Sequence, residues 1–368
     1  MLRTPICELL GIRLPILQAG MGKFKGLVTP PELVAAVSNA GGLGCLGATG
    51  LEPEELRQAI RRIRQLTDRP FGVNLIIPTR MSTRTGTRAE IRADIREKYP
   101  AHWDLVQRIF REEGIEPRTI DKEYSLTEEM TAAQTEVVFE ERVPLFVVAL
   151  GDPGAVRQRA RDAGMKVAGL AGTVRNAQRQ LAAGVDFVIA QGGEAGGHVG
   201  VVSTFPLVPQ VVDAAGTTPV VAAGGIADGR GLAAALALGA QAIWCGTAFL
   251  FSDEVDLHPV HRAQLRAGSS EDFVASRVFT GKPSRTYHNR IHDAWASAKL
   301  DPLPMPHQKV LMEDFLDAAR AAGRLDVVSN PSGQIAGMLE KTRPAAQIVE
   351  EMAAQAEAVI RGSMSYLA

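Results

Sequence analysis

The chain has 368 residues, 46% hydrophobic and 22% charged, the composition of a globular protein long enough for one large barrel or two ordinary domains. Forty basic side chains against forty-one acidic ones leave a formal net charge of −1, so no partnership with nucleic acid or a membrane surface is expected. Three scattered cysteines, Cys7, Cys45 and Cys245, form no C-x-x-C pair, which argues against a metal site or a disulfide framework. The opening MLRTPICELLGIRLP lacks the apolar stretch of a signal peptide and no run reaches spanning length, so a cytoplasmic location is expected.

In chain order, LPILQ (14–18) reads as a first buried strand, followed by the loop AGMGKFKG (19–26) and a helix over 30–40. GGLGCLGATG (41–50) holds a second short strand. In the next helix, 53–67, Leu56, Ile60, Ile63 and Leu66 recur at helical spacing. PFGVNLIIP (70–78) is a third strand, so the opening alternates strand and helix and predicts a parallel sheet covered by helices. Residues 79–126 break the pattern; they are polar, with helices expected at 88–98 and 103–113, and read as an insertion after strand three. Alternation resumes with a helix at 127–141, strands at 144–150, 165–171 and 186–190, and helices at 153–163 and 174–183 between them. TPVVAA (218–223) and AIWCG (242–246) are strands seven and eight, separated by a helix over 229–239.

Eight strands predict a (β/α)8 TIM barrel, whose active site lies on the face where the strands end. An open doubly wound sheet would also alternate, but no GxGxxG follows the first strand. The division expected is a barrel over 1–253, carrying the 79–126 insertion, and a segment over 254–368 with helices at 257–267, 308–322 and 344–361. The insertion and the tail together are expected to form a helical cap over the barrel mouth.

Chemistry concentrates at the strand ends. DFVIAQGGEAGGHVG (186–200) runs from a buried strand into Gln191, then glycines that include Gly196 and Gly197, and then His198. Glycine lets main chain approach a flat or phosphorylated ligand where a Cβ would clash. A lone histidine at a strand end, in a loop with almost no other side chains, is selected as an acid/base. Glu194 is either its orienting partner or a solvated loop charge. Gly224 and Gly225 end strand seven, and Gly246 and Thr247 end strand eight, the place where barrels bind phosphate through main-chain N–H groups. Asn74, inside the apolar VNLII, offers a donor and an acceptor that suit the edge of an isoalloxazine, unless neighbouring main chain satisfies it. Gln191 suits ribityl hydroxyls in the same way. Cys245 reads as a packed thiol, since no base is paired with it. RQAIRRIR (57–64) reads as a solvated helix face, and Tyr287, His288 and His292 as substrate contacts from the cap.

QGGEAGGHVG, with VNLIIP upstream and AAGGIADGRGLAAALALGA then CGTAFL downstream, resembles the nitronate monooxygenase family, formerly 2-nitropropane dioxygenases. FMN-dependent enoyl-ACP reductases share this scaffold and most of its motifs. The resemblance covers 1–78, 127–253 and parts of the tail such as FTGKPSR (279–285) and GQIAG (333–337). It implies an FMN enzyme with His198 as catalytic base. Its cofactor contacts would be Ala19, Gly20, Met21, Gly22, Asn74, Gln191, Gly196, Gly197, Gly224, Gly225, Trp244, Cys245, Gly246 and Thr247. The implied reaction takes an alkyl nitronate and O2 to a carbonyl compound and nitrite. The partners are thus a small molecule and O2, with a homodimer left open. The alternative is an NAD(P)H-dependent FMN reductase acting on an enoyl thioester or quinone, because the QAGMG loop (18–22) sits nearer the reductase pattern. A likeness to IMP dehydrogenases in the AGGI and GT loops is weaker, since no mobile cysteine loop is evident.

Overall fold

The computed structural model describes residues 2–22, 28–77, 87–120, 128–149 and 151–367. Parts of the first loop (23–26) and of the insertion (79–86 and 121–126) therefore lie outside the described residues. In chain order the strands are β1 (Ile16–Gln18), β2 (Cys45–Gly47), β3 (Gly72–Ile76), β4 (Leu145–Ala149), β5 (Lys166–Ala171), β6 (Phe187–Gln191), β7 (Gly197–His198), β8 (Val220–Ala223), β9 (Ala242–Cys245), β10 (Phe273–Ser276) and β11 (Ser284–Tyr287). Eight of them form one parallel sheet in the order β1-β9-β8-β6-β5-β4-β3-β2. A parallel bridge between Leu17 and Leu43 closes it, with Gln18 N donating to Leu43 O at 2.9 Å and Leu43 N to Ile16 O at 3.0 Å. This is the expected (β/α)8 barrel, each strand overlapping its expected range.

Side chains alternate across the barrel wall with the period of two that strands impose. Leu145, Val147, Phe187, Ile189, Val221 and Trp244 fill the interior. Phe146, Val148, Val188, Ala222, Ile243 and Cys245 face the outer helices. The helices form for local reasons as well. Pro53–Leu66 opens on proline, has a capping box between Glu52 and Glu55, and buries Leu56, Ala59, Ile60 and Ile63. Its arginines are not simply solvated: Arg57, Arg61 and Arg64 converge on the buried Glu141 carboxylate at 3.4, 2.9 and 2.9 Å. Helix Thr204–Ala215 escapes a sequence reading because Pro206 and Pro209 look like breakers and its valines favour strand.

The segment after β9 is an excursion. It leaves at Ser252, which bridges to Arg343, and Arg343 N donates to Phe251 O at 3.1 Å. The Glu254 carboxylate accepts from Ala345 N at 2.9 Å and so caps helix Ala345–Ser363. That helix packs between Gly229–Ala237 and Pro31–Asn39, in the place of the barrel's eighth outer helix. Between the two ends, the excursion and the insertion build a second apolar core, in which Ile95, Ile109 and Phe110 meet Trp295, Leu311 and Phe315. A buried ion pair ties them: Arg92 Nε and Nη2 donate to Asp314 at 2.7 and 3.2 Å. Among the described residues no helix is long and apolar enough to cross a membrane.

Removing one partner of a buried pair leaves a buried charge uncompensated, whereas replacing both with apolar residues is close to neutral. Asp314→Ala is therefore expected to cost about 3–5 kcal/mol in urea unfolding, and the double variant Arg92→Met/Asp314→Leu to recover most of it. A double variant as unstable as the single one would contradict this account.

Candidate active site

The rim at the strand ends is one connected ring. A Cβ added to Gly20 would lie 2.8 Å from the Asn74 Cβ, which places the first loop against β3. One added to Gly246 would meet Ala19 Cβ and Met21 Sδ at 3.6 Å each, so the same loop also touches the end of β9. Gly22 is exposed. Thr247 Oγ1 accepts from Gly333 N at 2.9 Å and so keeps its own proton to donate. A Cβ at Gly196 would meet the main chain of Ser332 and Gly333 at 2.6–2.7 Å, bringing the 191–200 loop to the same place. Gln191 closes the ring by donating its amide N–H to the His198 carbonyl at 2.9 Å. At the end of β8, Gly224 and Gly225 hold φ of +92° and +70°, which glycine adopts without strain. A cleft of about 170 Å³ lies behind this strand end, between helices Thr204–Ala215 and Gly229–Ala237, lined by Glu194, Phe205, Val208, Gly225, Ala234 and Leu238.

His198 is held from the cap. It forms β7 with Gly197, and these two residues pair antiparallel with Ser284 and Arg285 of β11. Thr280 Oγ1 lies 3.4 Å from its Nε2. Arg285, which sequence reasoning did not single out, donates twice to Gly193 O at 3.0 and 2.8 Å and braces the loop. Burial, followed by the positive charges of Lys282 and Lys309, holds the His198 imidazole down at about 4. At neutral pH it is an uncharged proton acceptor.

Other expected roles change. Glu194 does not orient His198: its carboxylate accepts from Thr204 N at 2.9 Å and Thr204 Oγ1 at 2.8 Å, capping helix Thr204–Ala215. Asn74 donates to Val147 O at 3.0 Å, so neighbouring main chain takes one of its N–H groups and leaves its carbonyl oxygen for another partner. Trp244 points into the barrel and Cys245 away from it, so both can meet a ligand at the rim only through main chain. Burial pushes the Cys245 thiol up to about 12, which makes it a packed thiol and no nucleophile. Tyr287 packs on Phe273, His288 stands 3.3 Å from Asp293, and His292 bonds Thr286 and Asn289. These three are cap structure; the cap residue that reaches His198 is Thr280. The segment Ser332–Gln334 was missed as part of the rim. Its only trace in the sequence is the GQIAG motif.

A closed parallel barrel with a glycine-lined rim at its strand ends and a half-buried, neutral histidine among them has the layout of a barrel enzyme. The family model described as nitronate monooxygenase matches residues 3–355, and the chain belongs to that family. A protein of Mycobacterium tuberculosis named as a monooxygenase is 38% identical, over 95% of this chain and 96% of its own. A protein of Staphylococcus aureus named as a nitronate monooxygenase is 32% identical, over 98% of this chain and 99% of its own. Among solved structures, the nitroalkane oxidase of Streptomyces ansochromogenes is similar at a TM-score of 0.82 and 32% identity, covering 97% of this chain and 99% of that one. FabK of Thermotoga maritima is similar at 0.77 and 32%, covering 100% of both chains.

Two outcomes follow from this geometry. Glu194→Ala removes a charged helix cap and is expected to lower stability by about 1–2 kcal/mol in thermal melts, with the pH profile of activity unmoved. A shifted profile would return Glu194 to the role of histidine partner. His198, His261 and His292 all lie at about 4 in the fold against an ordinary 6.5. Between those values the unfolded chain binds more protons than the native one, so stability must fall as pH drops through the window. Melts from pH 7 to 4.5 check this, and His292→Phe should flatten the slope.

Proposed function

We propose that this enzyme oxidises alkyl nitronates with O2 to a carbonyl compound and nitrite, using FMN, with His198 as the base that removes the α-proton when a neutral nitroalkane is offered. The observation that carries the reading is the imidazole itself: half-buried, uncharged at neutral pH, and set on a rim otherwise made largely of main chain. A base must be unprotonated at the working pH; burial secures that and also weakens the imidazole as a base, so the assignment stands on its place at the rim.

The rim fits a flavin mononucleotide. Gly225 is exposed and in a conformation that presents bare main chain, while Thr247 retains a hydroxyl proton to donate beside it. We assign the phosphate to Gly224, Gly225, Gly246 and Thr247, with Gly333 supporting Thr247. The ring edge and ribityl chain fall to Ala19, Gly20, Met21, Asn74, Gln191, Gly196 and Gly197. Bound there, FMN supplies the electron acceptor for the nitronate and the donor for O2. The protein would orient the substrate beside it, and His198 would take the α-proton. The match to the nitronate monooxygenase family model and the likeness to a nitroalkane oxidase support this choice of substrate. A second reading, NAD(P)H-dependent reduction of an enoyl thioester or quinone, is favoured by the sequence of the first loop (18–22), whose Ala19 and Met21 lie against Gly246 at the end of β9.

Anaerobic mixing separates the two: bleaching of the flavin by a nitronate without NADH supports the first reading, and rapid bleaching by NADH the second. His198→Ala is expected to keep the yellow colour and to lose about 10²–10⁴-fold on neutral nitroalkanes, but far less on preformed nitronates. Equal losses on both forms would remove His198 as the base.

A further inference from the structure

We propose that Thr280 is a positioning residue that holds the single ring proton of His198 on Nε2 and so leaves Nδ1 as the nitrogen that accepts the substrate's α-proton. The inference rests on the reading of His198 as the base. It adds which of the two nitrogens takes that role and what selects it.

The main chain at His198 is fixed first. Gln191 donates its amide N–H to the His198 carbonyl at 2.9 Å, Val199 N donates to Pro283 O at 3.2 Å, and Ser284 stands opposite His198 in the strand pair. These contacts set the backbone and leave the ring to turn. Among the described residues the imidazole has one hydrogen-bonding partner, Thr280, whose Oγ1 lies 3.4 Å from Nε2. Its Nδ1 has none among them.

Thr280 is held in its own turn independently of the histidine. Gly281 N donates to Arg277 O at 2.8 Å. Gly281 has φ of +77°, and a Cβ there would lie 2.6 Å from Leu303 O and Met305 N, so glycine is required on both counts. On the other side Phe279 is buried, and its ring meets the His292 imidazole edge-on with centroids 5.2 Å apart. The Thr280 hydroxyl closes a clamp on Lys282: it accepts from Lys282 N at 3.3 Å and donates to Lys282 O at 3.1 Å.

A threonine hydroxyl has one proton and two lone pairs. Here the proton goes to Lys282 O, which is nearer than His198 Nε2, and one lone pair goes to Lys282 N. What remains for the imidazole is a lone pair, so Thr280 accepts from Nε2 and Nε2 carries the hydrogen. Neutral imidazole has a single ring proton, and placing it on Nε2 leaves Nδ1 unprotonated. The hydrogen bond made by one ring nitrogen thus decides which nitrogen can act as the base.

The test uses the flavin-loaded enzyme with isotopically labelled histidine ring nitrogens, read by NMR at neutral pH in the wild type, Thr280→Val and Thr280→Ser. The His198 signals are those absent from His198→Gln. The wild-type ring is expected as the Nε2–H tautomer. Valine keeps the shape of threonine without its hydrogen bonds, so Thr280→Val should populate the Nδ1–H form, and Thr280→Ser should restore the wild-type spectrum. In turnover, Thr280→Val should lower kcat on neutral nitroethane about 2- to 10-fold more than on its preformed nitronate, the factor that one net hydrogen bond implies. A wild-type ring protonated on Nδ1 overturns the assignment, and so does a Thr280→Val spectrum identical to the wild type. Equal losses on both substrates would reduce Thr280 to a structural residue and overturn it as well. If Thr280→Val fails to fold, the wild-type spectrum decides alone. An enzyme that oxidises neither nitroethane nor its nitronate overturns the nitronate reading and the α-proton role with it, while the spectra, which need no substrate, still decide the tautomer.

Discussion

The two-residue ladder between Gly197–His198 and Ser284–Arg285 is the contact on which the site depends. A loop made almost wholly of glycine has no side chains with which to hold itself, and a strand of two residues does not persist alone. Its shape comes from outside. Arg285 grips the Gly193 carbonyl, Gln191 holds the carbonyl of His198, and Thr280 stands at the ring. Apart from Gln191, the imidazole is thus placed by residues more than eighty positions away, and these rest on a core built from the insertion and the long excursion.

The glycines of the rim serve two different ends. Several are glycine because protein main chain or side chain already occupies the space of a Cβ: Gly192 against Thr204, Gly47 against Met21, Gly196 against Ser332. These bring separate loops into one ring. Others, such as Gly197 and Gly225, have φ of about +70°; a Cβ would meet nothing at Gly197 and only the Glu194 side chain, at 3.6 Å, at Gly225. The second kind is glycine for its backbone conformation. The first kind explains why loops from β1, β3, β6 and β9, together with a tail segment, reach the same place.

Electrostatics repeats the lesson on a smaller scale. The net charge of −1 describes the whole surface and says nothing about the mouth. Helix Pro53–Leu66 looks like a basic patch in sequence, yet its arginines are spent on Glu141 and other carboxylates. In the cap, Arg88 pairs with Glu313 and Arg92 with Asp314, each across more than two hundred positions, and no run in the sequence marks either pair.

The barrel was legible in the sequence because buried parallel strands are short apolar runs with glycine at their ends, and each run carries its own signal. Asn74, Gln191, His198, Gly225 and Thr247 could be picked out for the same reason: each stands at a strand end, where polarity breaks an apolar pattern. Pairings between distant segments carry no such local mark. Nothing in TGKPSR or NPSGQIAG announces that one pairs with the histidine loop and the other with Thr247. Glu194 sits four residues from His198 in the chain, yet its carboxylate binds Thr204, because the start of a helix offers it unsatisfied N–H donors and the imidazole does not face it. Local composition determined the strands and the residue types available at their ends. Only the closing of the barrel and the packing of the cap decided which of those residues face one another, since contacts so far apart in sequence exist only once the intervening chain has folded.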